Sequence, residues 1–268
     1  MNYHESAKWL VNELGCAPEI AIILGTGLGD LAESFEIKKL IPYQDIPGFA
    51  TSTAPSHKGN LILVEIAAKP VLFLQGRFHF YEGYTMQEVV FPTRVLTALG
   101  LKTLIVTNAA GSLRKELSPG SIVQITDHIN FMGRNPLIGP NDDAMGERFP
   151  SMNEQYDPEY RAITDEIARE KGIKTQHGIY LAVTGPNLET KAECAAFQMW
   201  GADLVGMSTV PEVLVARHGG VRVLAYSIVT NYSNLFHSEA HSQEEIRHNA
   251  AIASSNLKSI ICEFIARI

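Results

Sequence analysis

A chain of 268 residues with 46% hydrophobic and 19% charged residues has the composition of an ordinary globular domain and is long enough to bury most of its unfolded surface, which excludes disorder as its main state. Its apolar runs, such as 61–64 and 71–74, fall far short of the roughly 18 residues of a membrane-spanning helix, so no membrane partner is expected. Lys and Arg number 22 against 29 Asp and Glu, a formal charge of −7; this offers no field for a nucleic-acid backbone, and any anionic ligand must be held by local groups.

The first 15 residues place Glu5, Lys8 and Glu13 in a helix-like pattern, without the apolar stretch and cleavage site of a signal peptide. Short β-branched runs then recur at 20–24, 61–66, 71–74, 103–107, 122–126, 179–183, 204–207 and 221–230, and predict about eight strands. Helical patterns lie between several of them, at 85–99, 159–171, 190–200 and 211–218. This alternation predicts an α/β domain with a central mixed, largely parallel β-sheet flanked by helices. From 133 to 156 the pattern dissolves into Gly, Pro, Asn and Asp, a long loop of the kind that is usually functional or interfacial. Apolar residues at Ile246, Ala250, Ala253, Leu257, Ile261 and Phe264 mark a final helix, with Ser242 and Glu245 as its capping box and His241 just outside. No Gly/Ser-rich or Pro-rich linker and no repeat divides the chain, so 1–268 is expected to be one domain. Cys16, Cys194 and Cys262 are far apart and form no C-x-x-C clip, which fits a reduced, cytoplasmic chain.

Four loops following strands carry the chemistry. Gly25-Thr26-Gly27-Leu28-Gly29-Asp30 fails the dinucleotide fingerprint, because Asp30 stands where the third glycine is needed. What remains is either a plain tight turn or one that offers backbone N–H groups and the Thr26 hydroxyl to an anion. In the run 75–84, period-two alternation puts Arg77, His79 and Tyr81 on one side and Phe78 and Phe80 on the other. A guanidinium fork and an imidazole on one side suit a phosphate; the alternative is a surface ion-pair face. The loop 184–190 carries Glu189 near a helix start, where it either meets a ligand or complements the helix dipole. In 206–212, Thr209 and Glu212 read as a capping box, which places Ser208 at a helix N-terminus favourable to an anion. Ligands of open α/β sheets gather at such strand ends. The run His237-Ser238-Glu239-Ala240-His241 lacks the glutamate position of a zinc protease box, and no G-x-S-x-G elbow supplies a serine nucleophile, so neither a metal nor a hydrolase nucleophile is expected.

From about residue 20 onward the chain resembles the trimer-type purine nucleoside phosphorylases. The resemblance rests on Gly25-Thr26-Gly27-Leu28-Gly29, Ser56-His57-Lys58-Gly59, the run 76–84, Thr107-Asn108-Ala109-Ala110-Gly111, Glu147-Arg148-Phe149-Pro150, Gly185-Pro186-Asn187-Leu188-Glu189-Thr190, Gly206-Met207-Ser208-Thr209-Val210-Pro211-Glu212 and Thr230-Asn231. It implies reversible phosphorolysis of purine nucleosides, inosine and guanosine favoured, to free base and ribose 1-phosphate, with inorganic phosphate as co-substrate and no cofactor. Thr26, His57, Arg77, His79, the Ala109 N–H and Ser208 would hold phosphate, and Tyr81, Met207 and His241 would hold the sugar. Leu188, Glu189 and Asn231 would meet the base, with Asn231, Glu189 and His79 as the catalytic set. Phe149 would enter the site of a neighbouring subunit in a homotrimer, or in a dimer of trimers. Thr26 stands where serine is common, and Leu188 replaces a usual phenylalanine. A methylthioadenosine phosphorylase-like enzyme, in which an aspartate stands at the position of Asn231, and a xanthosine-accepting phosphorylase are the alternative readings.

Overall fold

The computed structural model describes residues 2–54, 57–237 and 243–268. His241, the Ser242 half of the expected capping box and Ser56 lie outside the described residues. The chain opens with helix α1 (Tyr3–Leu14), capped by the Asn2 side chain at its start and by a left-handed Gly15 at its end. Strand β1 (Ile20–Leu24) follows, with the bounds its sequence predicts. The remaining strands are β2 (Ile37–Pro42), β3 (Asn60–Ile66), β4 (Lys69–Gln75), β5 (Thr103–Ser112), β6 (Ile122–Asn130), β7 (Thr175–Ala182), β8 (Leu204–Gly206) and β9 (Arg222–Tyr232). The helices between and after them are α2 (Met86–Leu99), α3 (Pro158–Glu170), α4 (Lys191–Met199), α5 (Val210–His218) and α6 (Gln243–Arg267).

Among the described residues nine strands thus stand against the expected eight or so. The added one, β2, pairs only with β3 at the sheet edge, and its first four residues, Ile37 to Leu40, are exposed. Lys38, Lys39 and Pro42 give it the charged, interrupted character of a protected edge and hide it from a search for apolar runs.

The sheet order is β2-β3-β4-β1-β5-β8-β7-β6-β9, and β9 also pairs with β5, so that β5, β8, β7, β6 and β9 close on themselves. Pairings β1–β4, β1–β5, β5–β9, β6–β7 and β7–β8 are parallel; β2–β3, β3–β4, β5–β8 and β6–β9 are antiparallel. The expected mixed sheet is therefore present, with closure as an added feature. Alternation along β1 shows how both faces are filled: Ala21 and Ile23 join the core that includes residues of α1, α2 and α5, while Ile20, Ile22 and Leu24 join the core under α3 and α6. Strands covered on both faces lose all polar alternation, which is why β1 reads as an unbroken apolar run. Burial of each isoleucine or leucine among them contributes about 1.5–3 kcal/mol.

The stretch between β6 and α3 is irregular apart from isolated turns, as expected. Among the described residues no helix is long and apolar enough to cross a membrane.

Candidate active site

The loops singled out in the sequence converge on one cavity of about 430 Å³. Thr26, Arg77, His79, Tyr81, Ala109, Leu188, Glu189, Met207, Ser208 and Asn231 all line it. His57 stands directly behind it, with its ring stacked on that of His79 at 5.1 Å. Phe149 does not reach this cavity within its own chain: it is 84% exposed, with the Arg148 guanidinium 5.4 Å from its ring centroid.

Two glycines let the loops meet. A side chain at Gly25 would strike the Asn108 Cα at 2.6 Å, so the turn after β1 lies against β5 only because it has no Cβ. At Gly76, where φ is +113°, a Cβ would strike His57 at 2.5 Å. After Gly76 the chain runs extended to His79 and then turns through a short 3-10 segment, Phe80–Glu82. Period-two alternation therefore holds for Arg77 and His79, while Tyr81 reaches the same cavity from the turn and stacks on His79 at 4.6 Å.

At one end of the cavity Arg77, only 4% exposed, is held on three sides. Its Nε–H donates to Glu212 Oε1 (3.1 Å), Nη2–H to the Thr107 carbonyl (2.7 Å) and Nη1–H to Ser208 Oγ (3.0 Å). Thr107 is itself fixed, accepting from the Gly25 N–H at 3.1 Å and donating to the Ile23 carbonyl at 2.9 Å. The two histidines are organised by different partners. His57 Nδ1 lies within hydrogen-bond reach of both the Arg77 N–H (3.1 Å) and the Arg77 carbonyl (3.0 Å), and its buried Nε2 has no partner among the described residues. His79 Nδ1 pairs with Glu82 Oε1 at 2.9 Å, and the same carboxylate accepts from the His79 backbone N–H at 2.8 Å. Burial, then the charges of His79 and Arg77, hold His57 down to about 4. Burial also lowers His79 against the opposing pull of Glu82. Both rings are thus biased toward the neutral form, and the Arg77 guanidinium is the fixed cation at this end.

The expected capping box at Thr209 and Glu212 is not formed. Thr209 adopts φ 71°, ψ −57°, makes no capping hydrogen bond, and lies within a γ-turn closed by Val210 N–H donating to the Ser208 carbonyl at 2.8 Å. A threonine in this region is strained, and the surroundings hold it there. Asn108 Nδ2 donates to Thr209 Oγ1 (2.8 Å), and Ser227 Oγ donates to Asn108 Oδ1 (2.7 Å). Glu212 turns inward to Arg77 because a buried guanidinium demands a charged acceptor more strongly than a helix end demands a cap. Ser208 thus owes its position to the turn and to Arg77. Local reading of the sequence also missed the pairing of Glu82 with His79; the three-residue spacing was its only signal.

At the other end, Glu189 and Asn231 face the cavity from the α4 loop and from β9. Thr230 Oγ1 donates to Asn231 Oδ1 (2.9 Å) and Asn231 Nδ2 donates to the Tyr232 carbonyl (3.0 Å), which fixes the amide with Nδ2 as its donor. Burial raises the Glu189 carboxyl above its ordinary value. Leu188 is half exposed at the rim. The Thr190 cap and Glu193 close a complete capping box at the start of α4, so Glu189 is not needed there and is left to the cavity.

A wider cavity of about 640 Å³ lies between α1, α2 and the 136–142 loop, but none of the residues singled out in the sequence enters it. Its polar groups already serve one another: Tyr3 donates to Asp142, His218 pairs with Asn141 (3.1 Å) and Arg94 donates to the Pro136 carbonyl (3.3 Å). Among the described residues no group of three His, Cys, Asp or Glu side chains is placed to hold a metal ion.

The chain is thus an α/β protein with a mixed, partly closed sheet whose cavity joins a guanidinium end to a carboxylate–amide end. The chain belongs to the phosphorylase superfamily, whose family model matches residues 19–266. It is 48% identical over 227 residues to purine nucleoside phosphorylase 1 of Geobacillus stearothermophilus, covering 85% of this chain and 83% of the relative. The crystal structure of Schistosoma mansoni purine nucleoside phosphorylase in complex with inosine superposes with a TM-score of 0.93 at 38% identity, over 99% of this chain and 96% of that one. The adenosine complex of the same enzyme superposes with a TM-score of 0.93 at 39% identity, over 100% and 97%.

Proposed function

We infer that the chain is a purine nucleoside phosphorylase. It catalyses reversible phosphorolysis of purine ribo- and deoxyribonucleosides, inosine and guanosine favoured, to the free base and (deoxy)ribose 1-phosphate. The observation that carries this is the single cavity in which Arg77 and Ser208 stand at one end and Glu189 and Asn231 at the other. Phosphate is held by Arg77, His57, His79, Ser208, Thr26 and the Ala109 N–H, and it is placed against C1′ of a nucleoside whose sugar lies beside Tyr81 and Met207. A phosphate oxygen forms the new bond to C1′ as the C1′–N9 bond breaks, and the bonding pair passes into the purine. The phosphate charge stabilises the oxocarbenium-like sugar, and the Asn231 Nδ2–H donates to N7 or O6 as the base becomes negative. Glu189 accepts from the N1–H of a 6-oxopurine; adenosine presents a lone pair at N1 and sets acceptor against acceptor. Both developing charges are matched by phosphate and by side chains of the chain, so the reaction calls on no organic cofactor or metal.

A phosphate-dependence assay across inosine, guanosine, xanthosine and adenosine tests this reading. Base release is expected only with added phosphate, in step with ribose 1-phosphate, fastest for inosine and guanosine and slow for adenosine. Equal base release without phosphate would mark a hydrolase, and saturable binding without turnover a sensor.

The active form is proposed to be a homotrimer, alone or as a dimer of trimers, in the cytoplasm, each chain one domain. The exposed Phe149 ring on the long loop supports this, since it is available to close the ribose end of a neighbour's site. Gel filtration is expected to find activity only in the oligomeric fraction, and a fully active monomer would remove Phe149 from the site.

A further inference from the structure

We propose that Glu212 is a positioning residue for phosphate, acting through Arg77 and never touching the substrates. The inference rests on the phosphorolysis reading above and deepens it. An arginine has five N–H donors in a fixed plane. Here Nε–H goes to Glu212, one Nη2–H to the Thr107 carbonyl and one Nη1–H to Ser208. That leaves one N–H on each terminal nitrogen, the pair that a bidentate phosphate contact needs. Of the three partners, Thr107 offers a backbone carbonyl held by β5, and Ser208 is itself a ligand of the phosphate site. Glu212 alone is a charged side chain devoted to orientation.

Three further observations single it out. Glu212 and Arg77 are each only 4% exposed, so neither side chain exchanges its partner for solvent. Glu212 stands three residues after Thr209, where a glutamate ordinarily closes a capping box, yet it leaves the first turn of α5 without that cap. A local preference given up at a functional site signals a role elsewhere. The contact is also direct, 3.1 Å from Glu212 Oε1 to Nε, so Glu212 bears on the aim of the guanidinium as well as on its charge. The angle of the guanidinium plane then matters, and Glu212 Oε1 on Nε sets that angle.

The prediction separates geometry from charge. Glu212→Asp keeps the charge but withdraws the acceptor by one methylene; Glu212→Gln keeps an acceptor at the same reach and loses the charge. Steady-state kinetics of both variants, with phosphate and inosine varied in turn, is the test. Glu212→Asp is expected to raise the phosphate KM about tenfold and to change the inosine KM less than about twofold, while Glu212→Gln keeps the phosphate KM within about threefold of wild type. A purely structural ion pair would lower the amount of folded enzyme without moving either KM. Unmoved phosphate KM values, equal rises for both substrates, or a larger effect for Glu212→Gln than for Glu212→Asp would each overturn the proposal. Base release by the wild type without phosphate would instead overturn the functional reading beneath it.

Discussion

Replacing Asn231 with aspartate is expected to lower kcat/KM for inosine by about 10²- to 10³-fold, the scale of removing one donor aimed at developing negative charge. The exchange is nearly isosteric, and its local structural cost is the lost donor to the Tyr232 carbonyl at 3.0 Å. Its effect is electrostatic: Nδ2, the donor of this amide, becomes a carboxylate oxygen facing a purine that is gaining negative charge. Thr230 Oγ1 donates to Oδ1 at 2.9 Å and holds the side chain in place, and an aspartate carboxylate offers no donor in any rotamer. Adenosine, whose 6-amino group donates, should lose less, and the ratio of adenosine to inosine turnover should rise. Initial rates on both nucleosides at saturating phosphate check this. An unchanged inosine rate would take Asn231 out of the mechanism.

Arg77→Leu is expected to damage stability and activity together. Removing the guanidinium leaves Glu212 as a buried carboxylate without its counter-charge, and breaking such a pair from one side costs about 3–5 kcal/mol. Phosphate would lose its one cationic ligand, and kcat/KM for phosphate should fall at least about 100-fold. The stability deficit should depend on pH in a defined direction. Burial already raises the Glu212 carboxyl, and loss of Arg77 raises it further. A group with a folded pKa above its unfolded one stabilises the fold fully below the unfolded value and loses that contribution as pH rises through the folded value. The variant should therefore be closest to wild type near the ordinary carboxylate range and fall behind toward neutral pH. Adding Glu212→Leu should recover most of the lost Tm, because a buried ion pair replaced on both sides by apolar groups is often tolerated. It should recover none of the activity. Thermal unfolding of the three proteins across pH, beside phosphate kinetics, decides the matter; a double variant as unstable as the single one would contradict the account.

What could be read from the sequence follows from how local each cause is. β1 was legible to the residue because burial on both faces of a central strand leaves only apolar side chains. β5 runs five residues beyond its β-branched stretch, through Asn108 to Ser112, and those residues stay extended because β9 and β8 pair with them. No window of the sequence contains those partners. β2 was lost because an edge strand is selected to look unlike a strand. The cavity's lining was legible as a set of motifs, since turns after strands demand glycines and polar residues at fixed offsets. Its support was not. Thr209 and Glu212 match a capping box locally, but Arg77, 135 residues away, outcompetes the helix end for the carboxylate. Phe149 sits on the expected long loop and stays outside its own chain's cavity, so a role for it requires a second chain.

β5 belongs both to the open half of the sheet, through β1, and to the closed ring, through β8 and β9. Thr107 anchors the arginine end of the cavity and Gly111 lies beside the Asn231 amide, where an added Cβ would come within 3.4 Å. Along β5 the proposed phosphate amide at Ala109 and the Gly111 that abuts the Asn231 amide are two residue steps apart, about 7 Å of extended chain. In the proposed complex the spacing between anion and base would therefore be set by paired backbone, as on a caliper whose jaws share one beam. Side-chain changes can retune which base or oxyanion is gripped, but admitting a substrate of different reach between them would require moving the register of β5 itself.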